Sequence, residues 1–219
     1  MKVTTDACLF GAWIADTLKQ QKVDGNVLEI GTGTGLLSLM LAQKTEASID
    51  TIEIDPSACS QAKENIGASK WKQKIQVICG DAKLFTGEKK YDLIISNPPF
   101  FENQLRSESD NINMARHNDT LSLDELIEII FRNLSSEGVF AVLLPYQRSD
   151  YLISLAVQKN FNLFIRVDVK QSTNHNYFRS ILCFGKQFVV PELKELIIKD
   201  AEGYTQDFIA LLKDYYLNL

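Results

Sequence analysis

Short apolar runs alternate with segments of helical spacing along most of this chain. Seven of the runs predict buried strands, because they are aliphatic or aromatic and end at polar or turn residues. These strands begin at Asn26, Ser48, Ile75, Tyr91, Gly138, Phe161 and Phe178. Helical spacing begins at Leu36, Pro56, Leu121, Tyr151 and Thr205. The alternation predicts an α/β fold: a doubly wound, mostly parallel seven-stranded sheet with helices on both faces.

Length and composition narrow the class of protein. A chain of 219 residues predicts a single domain over 1–219. No apolar run approaches the ~20 residues of a membrane helix, and the start lacks the plan of a signal peptide. We therefore expect a cytoplasmic protein without a membrane partner. Its four cysteines form no CxxC pair and are expected to be reduced. With only two histidines, no metal site is expected.

The net charge of −5 argues against a strongly basic coat for nucleic acid. It leaves room for a local basic patch, because the field at a surface depends on where the charges lie.

A glycine loop, "LEIGTGTG", follows the first predicted strand. Ligands of parallel sheets bind beyond the carboxyl ends of the strands, so Gly31, Gly33 and Gly35 would let the backbone approach a ligand. The dinucleotide fingerprint GxGxxG would need a glycine at position 36, which is Leu36. Glu29 beside the loop suits a cationic nucleoside better than a pyrophosphate. S-adenosylmethionine fits this description; a tight turn without a ligand is the alternative.

Carboxylates follow the next two strands. Glu53 lies about 20 residues past the glycines, the spacing at which a carboxylate can accept ribose hydroxyls. Asp55 competes for that role, although it is better placed to cap the helix that begins at Pro56. Asp81 follows the third strand and could accept the adenine amino group. A solvated surface charge and a turn aspartate are the alternatives for Glu53 and Asp81.

"SNPPF" follows the fourth strand. Two prolines remove backbone donors and fix φ, so Asn97 and Phe100 would be held rigidly around Pro98 and Pro99. The Asn97 amide and the Pro98 carbonyl offer two acceptors to an exocyclic amino group. The aromatic ring offers a stacking surface worth about 1–3 kcal/mol per base. The alternative is a proline turn without chemistry.

These motifs resemble class I S-adenosylmethionine-dependent methyltransferases, which have a Rossmann-like fold. "SNPPF" is similar to the (N/D/S)PP(Y/F/W) motif of enzymes that methylate amino groups on planar systems. "MKVTTDACLFGAW", "DLIISNPPF" and "ARHNDTLSLDEL" are similar to segments of bacterial tRNA (adenine-N6) methyltransferases. These act on adenosine 37, next to the anticodon of a valine tRNA, and the resemblance covers nearly the whole chain.

The resemblance implies roles for individual residues. Thr5 and Asp6 would line the methionine end of the cofactor, Glu53 its ribose and Asp81 its adenine. The stretch from Asn97 to Phe100 would hold the target base. Two residues depart from the family pattern, because Thr4 and Ala7 stand where glycines are common. Family members also begin some residues earlier, with a short basic and aromatic arm, whereas this chain starts inside the motif.

The resemblance further implies tRNA, through its anticodon loop, as the partner of a monomeric enzyme. Arg106, Arg116 and His117 lie on a long polar segment after the motif and are candidate substrate contacts; a solvated loop is the alternative. Three other functions stay open: an rRNA guanine-N2 methyltransferase, a release-factor glutamine methyltransferase, and a catalytically idle module that binds the cofactor.

Overall fold

The computed structural model describes residues 3–21, 25–99 and 121–218. Eight strands form one sheet in the order β3-β2-β1-β4-β5-β7-β6-β8. The strands are β1 (Asn26–Ile30), β2 (Ser48–Glu53), β3 (Ile75–Cys79), β4 (Tyr91–Ser96), β5 (Leu134–Pro145), β6 (Asn162–Ser172), β7 (Tyr177–Gly185) and β8 (Glu192–Lys199). The described helices are α1 (Thr5–Gln21), α2 (Leu36–Ala42), α3 (Pro56–Ala68), α4 (Leu123–Asn133), α5 (Ser149–Gln158) and α6 (Gln206–Leu212).

The sheet is mostly parallel, as expected from the sequence. Strands β1 to β5 run in one direction, and β7 lies antiparallel between β5 and β6. The chain leaves β1 toward β2 and β3 on one side and returns to β4 on the other. A crevice forms where the direction of winding changes in this way, and it lies at the carboxyl ends of the strands.

Helices cover both faces of the sheet, and the pleat divides the apolar residues between two cores. Along β4, Leu93 and Ile95 face the core beneath α1, α2, α3 and α6, whereas Ile94 faces the core beneath α4 and α5. Since successive side chains point to opposite faces, the nearly continuous apolar runs of the central strands are explained by burial on both sides.

Helix starts follow local chemistry. The Asp55 side chain accepts the N–H of Ala58 at 2.7 Å, with Pro56 at the first turn of α3. Ser122 and Glu125 form a reciprocal capping box at the start of α4. The sequence-based prediction that Asp55 caps the helix that begins at Pro56 is therefore confirmed.

Three features differ from the expectation. Helix α1 (Thr5–Gln21) precedes the first strand and was not predicted. The sheet has an eighth strand, β8, which was not predicted because its sequence, ELKELIIK, carries charges and lies largely exposed at the edge of the sheet. Cys59 on α3 and Cys79 on β3 are joined in a disulfide, with Cα atoms 5.8 Å apart. The expectation of four reduced cysteines is wrong for this pair, since the fold brings together two cysteines that are 20 residues apart; Cys8 and Cys183 are free and buried.

Within the described ranges, none of the helices has the length and apolar character needed to cross a membrane.

Candidate active site

A cavity of about 870 Å³ opens at the carboxyl ends of β1 to β4. Its walls come from the segments that follow these four strands, from the start of α1 and from β7. The residues proposed from sequence that line it are Asp6, Glu29, Gly31, Gly33, Glu53, Asp81, Asn97, Pro98 and Pro99. Residues remote in sequence thus meet in one cleft because parallel strands end at one edge of the sheet.

The remaining sequence-proposed residues lie elsewhere. Thr5 is exposed and its side chain is hydrogen-bonded to Tyr216, while its neighbours Thr4 and Asp6 line the cleft. Gly35 is the N-cap of α2 rather than part of the cleft wall. Phe100, Arg106, Arg116 and His117 lie outside the described residues.

The glycine loop turns tightly between β1 and α2. Gly31 and Gly33 have φ values of 78° and 59°, a left-handed conformation that disfavours other residues. A Cβ atom at Gly31 would meet no atom within 4 Å, so this part of the backbone lies open to the cleft. The loop can therefore bring its peptide groups close to a ligand.

Glu29 is a carboxylate buried beneath this loop, with 1% of its surface exposed. Its Oε2 accepts hydrogen bonds from Thr32 Oγ1 at 2.9 Å, from the Ser38 N–H at 3.0 Å, and from the hydroxyls of Ser38 and Thr51. Burial raises the pKa of Glu29 to about 7, although these hydrogen bonds oppose the shift. Its Oε1 has no hydrogen-bond partner among the described residues, so this lining residue can still accept a donor.

Glu53 ends β2 and is 8% exposed. Its Oε2 accepts the N–H of Gly33 at 2.7 Å, and its Oε1 accepts the N–H of Asp55 at 2.9 Å. The carboxylate thus braces the glycine loop while it lines the cleft. Each carboxylate oxygen has a second lone pair, so Glu53 can also accept hydroxyl groups of a ligand.

Asp81 marks one end of the cleft. Its Oδ1 accepts the N–H of Lys83 at 2.8 Å, which fixes the turn after β3. The Lys83 ammonium lies 4.0 Å from Asp81 Oδ2 and 3.7 Å from Glu125 Oε1. Ile54, which is 50% exposed, and Leu121 add apolar surface to the cleft lining. This combination of apolar walls and a carboxylate suits a planar heterocycle with an amino group.

Asn97 and Pro98 form the wall at the end of β4. The preceding residue, Ser96, is anchored because its hydroxyl donates to the carbonyl of Ile30 at 2.9 Å. Asn97 Oδ1 is buried and has no hydrogen-bond partner among the described residues. A buried acceptor without a donor is costly, at about 1–3 kcal/mol, unless a ligand supplies one.

Sequence reasoning missed Arg179, which reaches the cleft from β7. Its Nε donates to Asp6 Oδ2 at 2.9 Å. No local pattern marks this arginine, because its partner lies 173 residues away. The signal is the register of β7 beside β5, which only the sheet reveals. Ile54, Lys83 and Leu121 were also missed; each lies next to or close to a predicted element end.

The class of protein follows from fold and sequence comparison together. The methyltransferase small domain family matches residues 11–121. Among solved structures, a predicted O-methyltransferase from Agrobacterium tumefaciens has a TM-score of 0.75 at 14% identity, over 97% of this chain and 99% of that one. The glycopeptide N-methyltransferase MtfA, solved with S-adenosylmethionine, has a TM-score of 0.59 at 13% identity, over 83% and 88%. At these identities the structures show the fold alone, which is that of class I methyltransferases.

Curated relatives define the particular family. The tRNA1(Val) (adenine(37)-N6)-methyltransferase of Phocaeicola vulgatus is 37% identical over 220 residues, covering 100% of this chain and 92% of the relative. The enzyme of that name from Yersinia enterocolitica is 34% identical, covering 100% and 87%. The chain belongs to the tRNA1(Val) (adenine(37)-N6)-methyltransferase family. The fold, the family, the enzyme class and the S-adenosylmethionine cofactor expected from the sequence are thereby confirmed.

Proposed function

We propose that this cleft binds S-adenosylmethionine and directs its methyl group to N6 of adenosine 37 in a valine tRNA. The observation that carries the proposal is the buried Asn97 Oδ1, an acceptor without a partner among the described residues, on the wall of the cleft. An adenine amino group would supply the missing donor. The name shared by the curated relatives supports the choice of tRNA and of nucleotide.

The residues present fit the cofactor. Asp81, Ile54 and Leu121 would hold the adenine, and Glu53 would accept the ribose hydroxyls. The unpartnered Glu29 Oε1 would face the positive charge of the methionine end. When bound, S-adenosylmethionine supplies an activated methyl group on a sulfonium leaving group.

Asn97 and Pro98 would orient the target nitrogen. The lone pair of adenine N6 is delocalised into the ring, which makes the amine a poor nucleophile. Two acceptors on its hydrogens favour a pyramidal nitrogen whose lone pair points away from the ring plane. Because the alkylated nitrogen becomes acidic, its proton can pass to water, and no strongly basic side chain is required. Phe100 would stack on the target adenine once that base has swung out of the tRNA loop.

Several expectations stay predictions. They are contact with the anticodon loop, the roles of Arg106, Arg116 and His117, the monomeric state, the absence of a metal and the cytoplasmic location. The bases of the tRNA anticodon loop are already partly unpaired, so presenting one of them to the enzyme costs less free energy than flipping a base out of a duplex.

Asn97→Ala should lower methyl transfer by about 10²–10³-fold, the usual cost of removing one hydrogen-bonding group that acts in a transition state. Cofactor binding should change little, because the amide acts on the target nitrogen. The measurement is transfer of labelled methyl groups to unmodified tRNA, followed by digestion and identification of the nucleoside. Asn162→Ala is a matched control, since the Asn162 side-chain amide donates to the carbonyl of Lys186 and the residue starts β6 at the opposite end of the sheet.

Retention of most activity by Asn97→Ala would refute the orienting role. The same assay offers rRNA and a release factor as substrates. Label in N2-methylguanosine or in a protein glutamine would move the function to one of the alternatives, and label in N6-methyladenosine of tRNA supports the proposal.

A further inference from the structure

A salt bridge between α1 and β7 closes one side of the cleft. Arg179 Nε lies 2.9 Å from Asp6 Oδ2, and the two side chains are only 20% and 14% exposed. Asp6 Oδ1 accepts the N–H of Ala7 at 3.0 Å, and Arg179 Nη1 donates to the carbonyl of Phe178 at 3.1 Å. Both charged groups are therefore held in fixed orientations at the cleft wall.

The sheet places this ion pair on the side of the cleft away from Asp81. Arg179 pairs in register with Pro145, the last residue of β5, and β5 lies beside β4, which leads into Asn97. Adjacent strands are about 4.8 Å apart, so Arg179 lies roughly 10 Å across the sheet from β4. Lys83 lies on the other side, next to Asp81. Among the described lining residues, these two are the basic side chains, one for each end of the cleft.

The charges of the cleft match those of the cofactor only if Arg179 is included. Glu29 and Asp6 are carboxylates of the cleft lining, and they would suit the sulfonium and the ammonium at the methionine end of S-adenosylmethionine. It also carries a carboxylate, which needs a cation that the glycine loop does not provide. Arginine presents parallel N–H groups that bind carboxylates with defined geometry, and its charge persists at every working pH.

We propose that the Asp6–Arg179 pair recognises the amino-acid end of the cofactor, with Arg179 binding its carboxylate and Asp6 its ammonium. The inference rests on the proposed function. The salt bridge sets both groups in place before the cofactor arrives, which reduces the cost of ordering them. In this arrangement Arg179 determines specificity for an adenosyl sulfonium or thioether that bears an intact amino acid.

The binding of two ligands distinguishes recognition of the amino-acid end from other roles of Arg179, and it requires no measurement of methyl transfer. S-adenosylhomocysteine carries the amino-acid end, whereas 5′-methylthioadenosine keeps the adenosine and the sulfur but lacks that end. Calorimetric titration of both into the wild type, Arg179→Gln, Arg179→Lys and Asp6→Asn measures the contribution of the pair. We expect Arg179→Gln to weaken the binding of S-adenosylhomocysteine at least tenfold and the binding of 5′-methylthioadenosine by less than twofold. Arg179→Lys should bind S-adenosylhomocysteine with an affinity between those of the wild type and Arg179→Gln.

Arg148→Gln is the matched control, because Arg148 is exposed on the 3₁₀ turn after β5 and does not line the cleft. Equal losses for both ligands in Arg179→Gln would make the residue structural and overturn the proposal. Unchanged S-adenosylhomocysteine binding with a raised KM for tRNA would also overturn it, because Arg179 would then serve the RNA. Loss of tRNA methylation in every assay, with ligand discrimination intact, would refute the proposed substrate and leave this inference standing.

Discussion

At the scale of single residues, the protonation of Glu29 makes the stability of the protein and its affinity for the cofactor depend on pH. In the unfolded chain the Glu29 carboxyl has its ordinary pKa of 4.5, and in the folded protein burial raises the pKa of Glu29 to about 7. The folded state therefore binds more protons than the unfolded state between these values, and the free protein loses stability as pH rises through that window. A bound positive charge favours the ionised form and lowers the pKa of Glu29.

We predict that affinity for S-adenosylmethionine rises about tenfold between pH 6 and pH 8, because Glu29 attracts the cofactor's positive charge only when its carboxyl is ionised. Calorimetry in buffers with different ionisation enthalpies should detect a proton released on binding near pH 7. Glu29→Gln should bind more weakly and with a flat pH profile. Glu46→Gln is the control, because Glu46 pairs with Lys74 at the surface and is 81% exposed. A wild-type profile that is flat from pH 6 to pH 8 would contradict this role.

At the scale of elements, the Cys59–Cys79 disulfide ties α3 to β3. Cys79 pairs in register with Glu53, and Gly80 N donates to the carbonyl of Glu53 at 2.9 Å. One end of the link therefore lies beside Glu53 on the neighbouring strand and two residues before Asp81, and both of these carboxylates line the cleft. It supports the segments that carry these residues.

Closing a loop of this length stabilises a protein by about 3 kcal/mol through the entropy of the unfolded chain. We expect a reducing agent to lower the free energy of unfolding of the wild type by about that amount. The variant that carries both Cys59→Ala and Cys79→Ala should show no response to the reducing agent. Cys183→Ala, which removes a free buried thiol, should keep the wild-type response. Urea unfolding with and without dithiothreitol tests this, and equal midpoints for the wild type would show that the bond contributes nothing.

At the scale of the whole molecule, one sheet serves two apolar cores. Phe10 and Phe208 belong to the core beneath α1 and α6, whereas Phe140 and Phe184 belong to the core on the opposite face. Neither core can lose its helices without exposing the shared central strands. The expectation of a single domain over 1–219 is therefore a prediction about cooperativity.

Thermal unfolding should follow one transition. Trp13 and Trp71 both pack against the first core, so tryptophan fluorescence reports on one face, and far-ultraviolet circular dichroism reports on the whole chain. Coincident midpoints from the two probes would support one domain. Two separate transitions would divide the chain into independently unfolding parts.

Local chemistry in the sequence was sufficient to determine much of this protein. The central strands are apolar runs buried on both faces. The Asp55 and Ser122 side chains each accept a hydrogen bond from the backbone N–H three residues further along the chain. The cleft residues Glu29, Glu53, Asp81 and Asn97 could be found because parallel strands present their carboxyl ends at one edge. Such signals extend over a few residues or follow from a general rule of sheet topology.

Only the tertiary structure decided the rest. The Asp6–Arg179 pair joins residues 173 positions apart, and the Cys59–Cys79 bond joins a helix to a strand. Strand β8 forms because β6 offers it a parallel edge, and its own sequence has weak strand character. Glu29 Oε1 and Asn97 Oδ1 are distinctive because they are buried without a partner among the described residues. Burial and partnership depend on how distant segments pack, and no local sequence pattern encodes that packing.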